Sequence, residues 1–396
     1  MSNRILLLLK SSAMIAACLT VALVCTGGAF GSEVSQLPTL AWTASLPSPI
    51  TGPVIAPNAN ILVGCMNSKL YAYSSAGSLT WSYTATGGIV GPPATDYSSN
   101  IYFGTVDGYV FGLRGDGTPK WSSPLSTGIP PSVPASPVYA SPNAQGDWNL
   151  YFAAQSGHVY CVNAATKAVN WVFKMTGAGY ATPAVAQDGT VYVGDANGAF
   201  YAISSTGAQL WKYNTGNRIL AKPTIGNNGE VYVGTYGSGL YAFNPDGTVR
   251  WRYTSDSLFT TSPTLGLDGS IYVCAYSGNV HALNPDGSWR WTLPTRDRLT
   301  GTPALDMFGR VYVAGADGFM RCIAQNGVQE WQYQVGTALT GSVALGMGQM
   351  YVSGTNNKLY AFDSPDLIPE PGTFASLIVL GGGTFVGVRR RMRRAR

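Results

Sequence analysis

Short apolar segments recur along the chain between clusters of Gly, Asn, Asp and Ser. Val231-Tyr232-Val233 and Ile271-Tyr272-Val273 are typical. Runs of about five residues rich in β-branched and aromatic side chains predict strands, because those side chains suit a pleated, half-buried surface. Asp-Gly and Asn-Gly pairs separate them, at Asp188-Gly189, Asn228-Gly229, Asp246-Gly247, Asp268-Gly269 and Asp286-Gly287. Tight hairpins need positive φ there, which these pairs supply. Between residues 32 and 363 no stretch keeps a helical period.

The segments are locked to a ladder of tryptophans. Trp42, Trp81, Trp121, Trp171, Trp211, Trp251, Trp291 and Trp331 follow one another at gaps of 39, 40, 50, 40, 40, 40 and 40 residues. Within a copy the order is Pro, Tyr, Tyr, Trp, as in Pro223, Tyr232, Tyr241 and Trp251. Four antiparallel strands per roughly 40 residues make the blade of a β-propeller. One Trp per blade at a fixed register predicts core packing between blades, since such a side chain buries about 150–250 Å². The last copy has its Tyr351 and Tyr360 strands but no Trp strand, whereas Trp42 has no strands before it. The expected fold is therefore an all-β, eight-bladed propeller in which the N-terminal strand completes the last blade and removes two open edges.

Gly stands four residues before Trp in six of the seven internal copies (Gly77, Gly117, Gly207, Gly247, Gly287 and Gly327), beside Tyr-Val-Gly and Leu-Tyr-Ala-Phe segments. This pattern resembles the PQQ-like repeat family of eight-bladed propellers over about residues 39 to 363. The family includes quinoprotein dehydrogenases and a non-enzymatic outer-membrane assembly lipoprotein. The enzymatic branch would imply PQQ and calcium as cofactors, together with long loops, an adjacent Cys pair and a catalytic Asp. This chain has no adjacent Cys pair, and most of its repeats are only 40 residues long. A non-catalytic module without cofactor is the expectation, with the dehydrogenase and the assembly lipoprotein as alternatives.

The ends divide from the repeats. Residues 1–31 have Arg4 and Lys10 beside an apolar run and small residues at Ala29-Phe30-Gly31, which predicts a signal peptide. Ile15-Ala16-Ala17-Cys18 offers a competing lipidation site. Residues 364–396 place Pro369, Glu370 and Pro371 ahead of an apolar stretch and six arginines. That order resembles the PEP-CTERM sorting signal, which implies an exosortase-type enzyme as partner; a permanent membrane anchor is the competing reading. Propeller residues 32–363 lie between them.

Charge follows the same division. Of 24 Lys and Arg, eight lie in the two end segments, as do Asp366 and Glu370 of the 19 Asp and Glu; setting those segments aside leaves 16 against 17, a net of −1. The basic surplus belongs to targeting and gives no reason to expect nucleic acid. An exported protein of the cell envelope, cell surface or medium is expected, binding an envelope or extracellular protein or an acidic polysaccharide.

Candidate chemistry is sparse. His158 falls in a hairpin turn and His281 replaces a strand Tyr; neither has a His or Cys close in sequence, so a metal site or a catalytic triad has little support. Cys65, Cys161, Cys274 and Cys322 are scattered over four blades and are expected as small core residues, a Cys274–Cys322 disulfide remaining open. Blade three carries ten extra residues, with Trp148 expected at the edge of an enlarged loop. Trp289 and Trp291 would share one face unless a bulge near Ser288 separates them. The strongest departure lies between each Trp and the next Pro, where the chain crosses one mouth of the propeller. Three consecutive crossings carry Arg218 and Lys222, then Asp256, then Arg296, Asp297 and Arg298, in a chain with only 11% charged residues. They form a candidate site for an acidic glycan or protein segment, since Arg grips carboxylates in bidentate fashion. A solvated face with local ion pairs is the competing reading.

Overall fold

The computed structural model describes residues 36–127, 136–140, 148–364 and Leu367, apart from Ser238 and Asp256. These residues form eight four-stranded antiparallel sheets. Blade five is representative, with strands Thr224–Ile225, Val231–Gly234, Gly239–Phe243 and Val249–Thr254. Its second and third strands are wholly buried, whereas along the fourth only Trp251 and Tyr253 turn partly inward. That gradient is what a radial arrangement requires. The short first strands of neighbouring blades touch one another around the axis.

The N-terminal strand Thr39–Ser45 pairs with Lys358–Asp363, so blade eight runs from Leu339–Gly346 through Gln349–Gly354 and Lys358–Asp363 to a fourth strand from the other end of the chain. The closure expected from Trp42 is present.

The ladder joins each blade to the next. Trp211 donates its indole N–H to Pro245 O in the following blade at 2.8 Å, and Trp251 donates to Pro285 O at 3.0 Å. Trp42, Trp81, Trp121, Trp171 and Trp291 do the same toward Ser75, Gly115, Ala164, Ser205 and Gln325. The glycine four residues before Trp in six of the copies is now explained twice over. Gly247 has φ +89°, and a Cβ there would lie 2.7 Å from the Trp211 ring. Only a residue without a side chain supplies both the turn and the seat for the indole.

A recurrent bulge aims the tryptophans. Ala282 lies opposite Trp291 and Leu283 opposite Trp289, which leaves Arg290 as the extra residue. The bulge expected near Ser288 is present, with Arg290 as its extra residue. It turns Trp291 inward at 7% exposure and leaves Trp289 outward at 60%.

Several details differ from expectation. Trp121 lies outside any strand, because blade two has only Leu125–Ser126 as its fourth strand. Pro119 and Pro124, on either side of Trp121, withhold ladder donors. Trp148 is half-buried and stacked on Tyr139 at 4.8 Å rather than displayed, while the loop 141–147 lies outside the described residues. His158 begins the strand His158–Asn163 instead of occupying a turn. All four propeller cysteines are free and buried. Cys161 and Cys322 face Trp171 and Trp331 where other blades use Ala202 and Ala242, so their role is that of small residues beside an indole.

Candidate binding face

The crossings between blades and the hairpins joining second to third strands lie on one face of the propeller. Backbone bonds clamp each crossing to its hairpin: Tyr236 N–H to Arg218 O and Tyr276 N–H to Leu258 O, both 2.8 Å, and Ala316 N–H to Arg298 O, 3.0 Å. Residues far apart in sequence thus become neighbours. Arg218 stands exposed beside Tyr236, itself 42% exposed. The Arg298 guanidinium donates to the Tyr276 hydroxyl at 3.1 Å and lies 6.0 Å from the centre of its ring. That hydrogen bond, with the nearby phenol, raises the Arg298 pKa above its ordinary value. The Arg296 guanidinium lies 5.8 Å from the centre of the Phe319 ring, and Asp297 accepts the Arg298 backbone N–H at 2.7 Å.

Lys222 stands apart from these. It lines a depression on the propeller axis of about 250 Å³, into which Thr182, Ser262, Thr302 and Ser342 also face from their own blades. None of Arg218, Arg296, Asp297 and Arg298 lines it. Close packing of protein around Lys222 lowers its pKa by desolvation. The six predicted residues therefore separate: one cation lies on the axis, four residues lie farther out on the crossings, and Asp256 lies outside the described residues. The sorting residues Pro369, Glu370 and Pro371 and the leader 1–31 lie outside them as well.

The hairpin residues themselves were not singled out. Met66, Val106, Tyr236 and Tyr276 are exposed at the hairpins, and Val90 and Tyr180 at the crossings. The legible signal was a large apolar side chain two residues after the end of the second strand, where other copies have Ala196 or Ala316. On the opposite face Leu267, Met307 and Phe308 are also exposed, at hairpins joining first to second strands.

Among the described residues no group of three or more His, Cys, Asp and Glu is placed to hold a metal ion. Nor is any helix there long and apolar enough to cross a membrane.

The family model described as outer membrane protein assembly factor BamB matches residues 34–155 and 155–366. Among solved structures, the chain is similar to BamB from Moraxella catarrhalis, with 20% identity over 83% of this chain and 100% of that one and a TM-score of 0.68. It is similar also to the computationally designed Ika8 protein, with 14% identity, the same shares of the two chains and a TM-score of 0.70. At these identities the likeness is one of fold. No curated protein matches the chain.

Proposed function

From the premise that this chain belongs to the family described as outer membrane protein assembly factor BamB, we propose that it is a non-catalytic binding module of the cell envelope that docks a protein segment on its crossing face. The observation that carries this reading is the pairing of exposed Tyr236 and Tyr276 with Arg218 and Arg298 at neighbouring blades. Tyr and Arg are enriched among the residues that dominate interface energetics, and rigid hairpins present them with little ordering cost. The absence of catalysis belongs to the same proposal. A quinone held by calcium uses carboxylate and amide ligands, and among the described residues the axial lining contributes hydroxyls, one amine and apolar groups but no Asp, Glu, Asn or Gln. These residues do not fit that cofactor. The segment after residue 363 would supply membrane retention or sorting, which mass spectrometry of the native protein tests: an intact Arg396 on the mature chain favours the anchor.

A pull-down from envelope extract tests the binding face. Replacing Tyr236 and Tyr276 with Ser and Arg218 and Arg298 with Ala should reduce partner capture at least tenfold, about 1.4 kcal/mol, with the melting temperature unchanged. A second reading places the contact on the opposite face through Leu267, Met307 and Phe308. Loss of capture on replacing those three instead would decide for it. Reconstitution with PQQ and calcium followed by a dye-reduction assay should give no turnover.

A further inference from the structure

The axial depression is built by repetition. Pro92, Ser136, Thr182, Lys222, Ser262, Thr302 and Ser342 come from seven successive blades and line one cavity of about 250 Å³. Most occupy the position immediately before the proline that opens a copy, as in Lys222-Pro223, Ser262-Pro263 and Thr302-Pro303. Neutral hydroxyls dominate this ring, and Lys222 is its one charged member. A carboxylate partner for that amine is missing too among the described residues: no ion pair there involves Lys222, and no acidic side chain there lines the cavity.

The hydroxyls are polarised in one sense. Ser262 Oγ accepts the Lys222 backbone N–H at 3.1 Å, and Ser342 Oγ accepts the Thr302 backbone N–H at 2.9 Å. A hydroxyl whose oxygen is already an acceptor has its proton left to donate. The ring therefore combines one partly buried ammonium, hydroxyl donors and, among the described residues, no competing anion. An amine crowded by protein without a counter-charge favours any ligand that brings one.

We infer that the axial depression is a carboxylate-binding site, in which Lys222 supplies the charge and the hydroxyls of Ser262, Thr302 and Ser342 donate hydrogen bonds. It deepens the binding-face proposal and rests on it for one point only, that the carboxylate arrives on an acidic side chain or free chain end of a docked protein segment. A single cation suits a single carboxylate. A phosphate dianion would be left half-compensated.

The test uses the full chain with lysines ¹³C-dimethylated, which preserves their charge, and reads the Lys222 resonance, identified by its loss in Lys222→Met. Acetate, phosphate and chloride are titrated at equal ionic strength. Acetate should shift the Lys222 resonance saturably at about 1–10 mM, the range expected for one small charged group, and at least tenfold below the concentration needed with chloride or phosphate. Thr302→Val, which keeps the shape of the ring, should weaken acetate binding at least threefold while the melting temperature is retained. A Lys222 response no larger than that of exposed Lys212, or saturation by phosphate before acetate, overturns the inference. Because acetate needs none of the outer residues, the result is independent of Tyr236 and Tyr276. Loss of capture without loss of acetate binding, or the reverse, shows which proposal has failed.

Discussion

In blade five the third strand turns at Asp246-Gly247 into the fourth, and that turn receives Trp211 from the blade before: the indole N–H reaches Pro245 O, and the ring lies on Gly247. In blade eight the third strand ends at Asp363, and the fourth arrives from the other end of the chain. No turn joins them, so Trp331 of blade seven lacks the seat that its seven counterparts use. Its ring is still buried at 5% exposure, beside Tyr312 in a core cluster that includes Phe362 and the partly buried Leu367, but Nε1 is buried without an acceptor among the described residues. The two seams share an indole packed between blades, partly buried at Trp211 and buried at Trp331, and differ in the hydrogen bond. Apolar burial is thus the common term that holds blades together, and the bond to the turn is an addition that closure at blade eight gives up. A buried donor left unpaired costs about 1–3 kcal/mol, so closing the ring here carries a local penalty.

The most severe way to break this comparison is to remove the strand that substitutes for the turn. Deleting residues 32–46 takes away the fourth strand of blade eight and exposes the edge of Lys358–Asp363. The protein should aggregate or lose cooperative unfolding in a thermal scan; a soluble product with an unchanged transition would refute the shared blade. Less drastic is Trp331→Ala, expected to cost about 3–5 kcal/mol in urea unfolding because it loses a buried indole, with Trp251→Ala at the lower end of that range because its indole is only partly buried.

The finer contrast comes from Trp→Phe. At Trp251 the change removes a bond to the exposed Pro285 O, whereas at Trp331 it removes a buried, unpaired N–H. Trp331→Phe should therefore be milder by about 1–2 kcal/mol, and equal costs would show that Trp331 has an acceptor after all. Gly247→Ala separates the seat from the turn. It meets both positive φ and the Trp211 ring, while Gly216, at φ +76° with nothing within 4 Å, meets only the first. Gly216→Ala should cost about 1–2 kcal/mol and Gly247→Ala at least about 1 kcal/mol more.

Much of the ring was legible because its packing repeats. Tyr232, Tyr241 and Trp251 recur in register with Tyr192, Tyr201 and Trp211, since each blade must fill the same wedge. What escaped depends on contacts that the period does not encode. The half-burial of Trp148 comes from stacking on Tyr139 across the inserted segment, and the loss of strand around Trp121 comes from two prolines. At the candidate site the charges on the crossings were visible, but their radial positions were not. Lys222 and Arg218 are four residues apart, yet one reaches the axis and the other a hairpin. The tyrosines opposite Arg218 and Arg298 were passed over because hairpin residues vary from copy to copy.

The smallest expected effect concerns pH. Burial alone would raise the Glu230 pKa, but hydrogen bonds from the backbone, Asn228 and Arg250 outweigh it and hold the carboxyl below its usual range. A depressed folded value means that its contribution is present above the unfolded value of about 4.3 and is lost as pH falls through the folded one. Blade eight has uncharged Gln349 at the same register. Glu230→Gln should therefore flatten the loss of melting temperature between about pH 5 and pH 3. An unchanged slope would assign the acid sensitivity elsewhere.

The closing ladder has a mechanical meaning. Thr39 faces Asp363 and Ser45 faces Lys358, so both strands leave blade eight beside the same pair. Tension applied between those two exits loads the Thr39–Asp363 pair first and then each following pair in turn. Such a ring peels open like a zip rather than resisting in shear, and its yield force is set by single rungs of the ladder, however stable the remaining seven blades are.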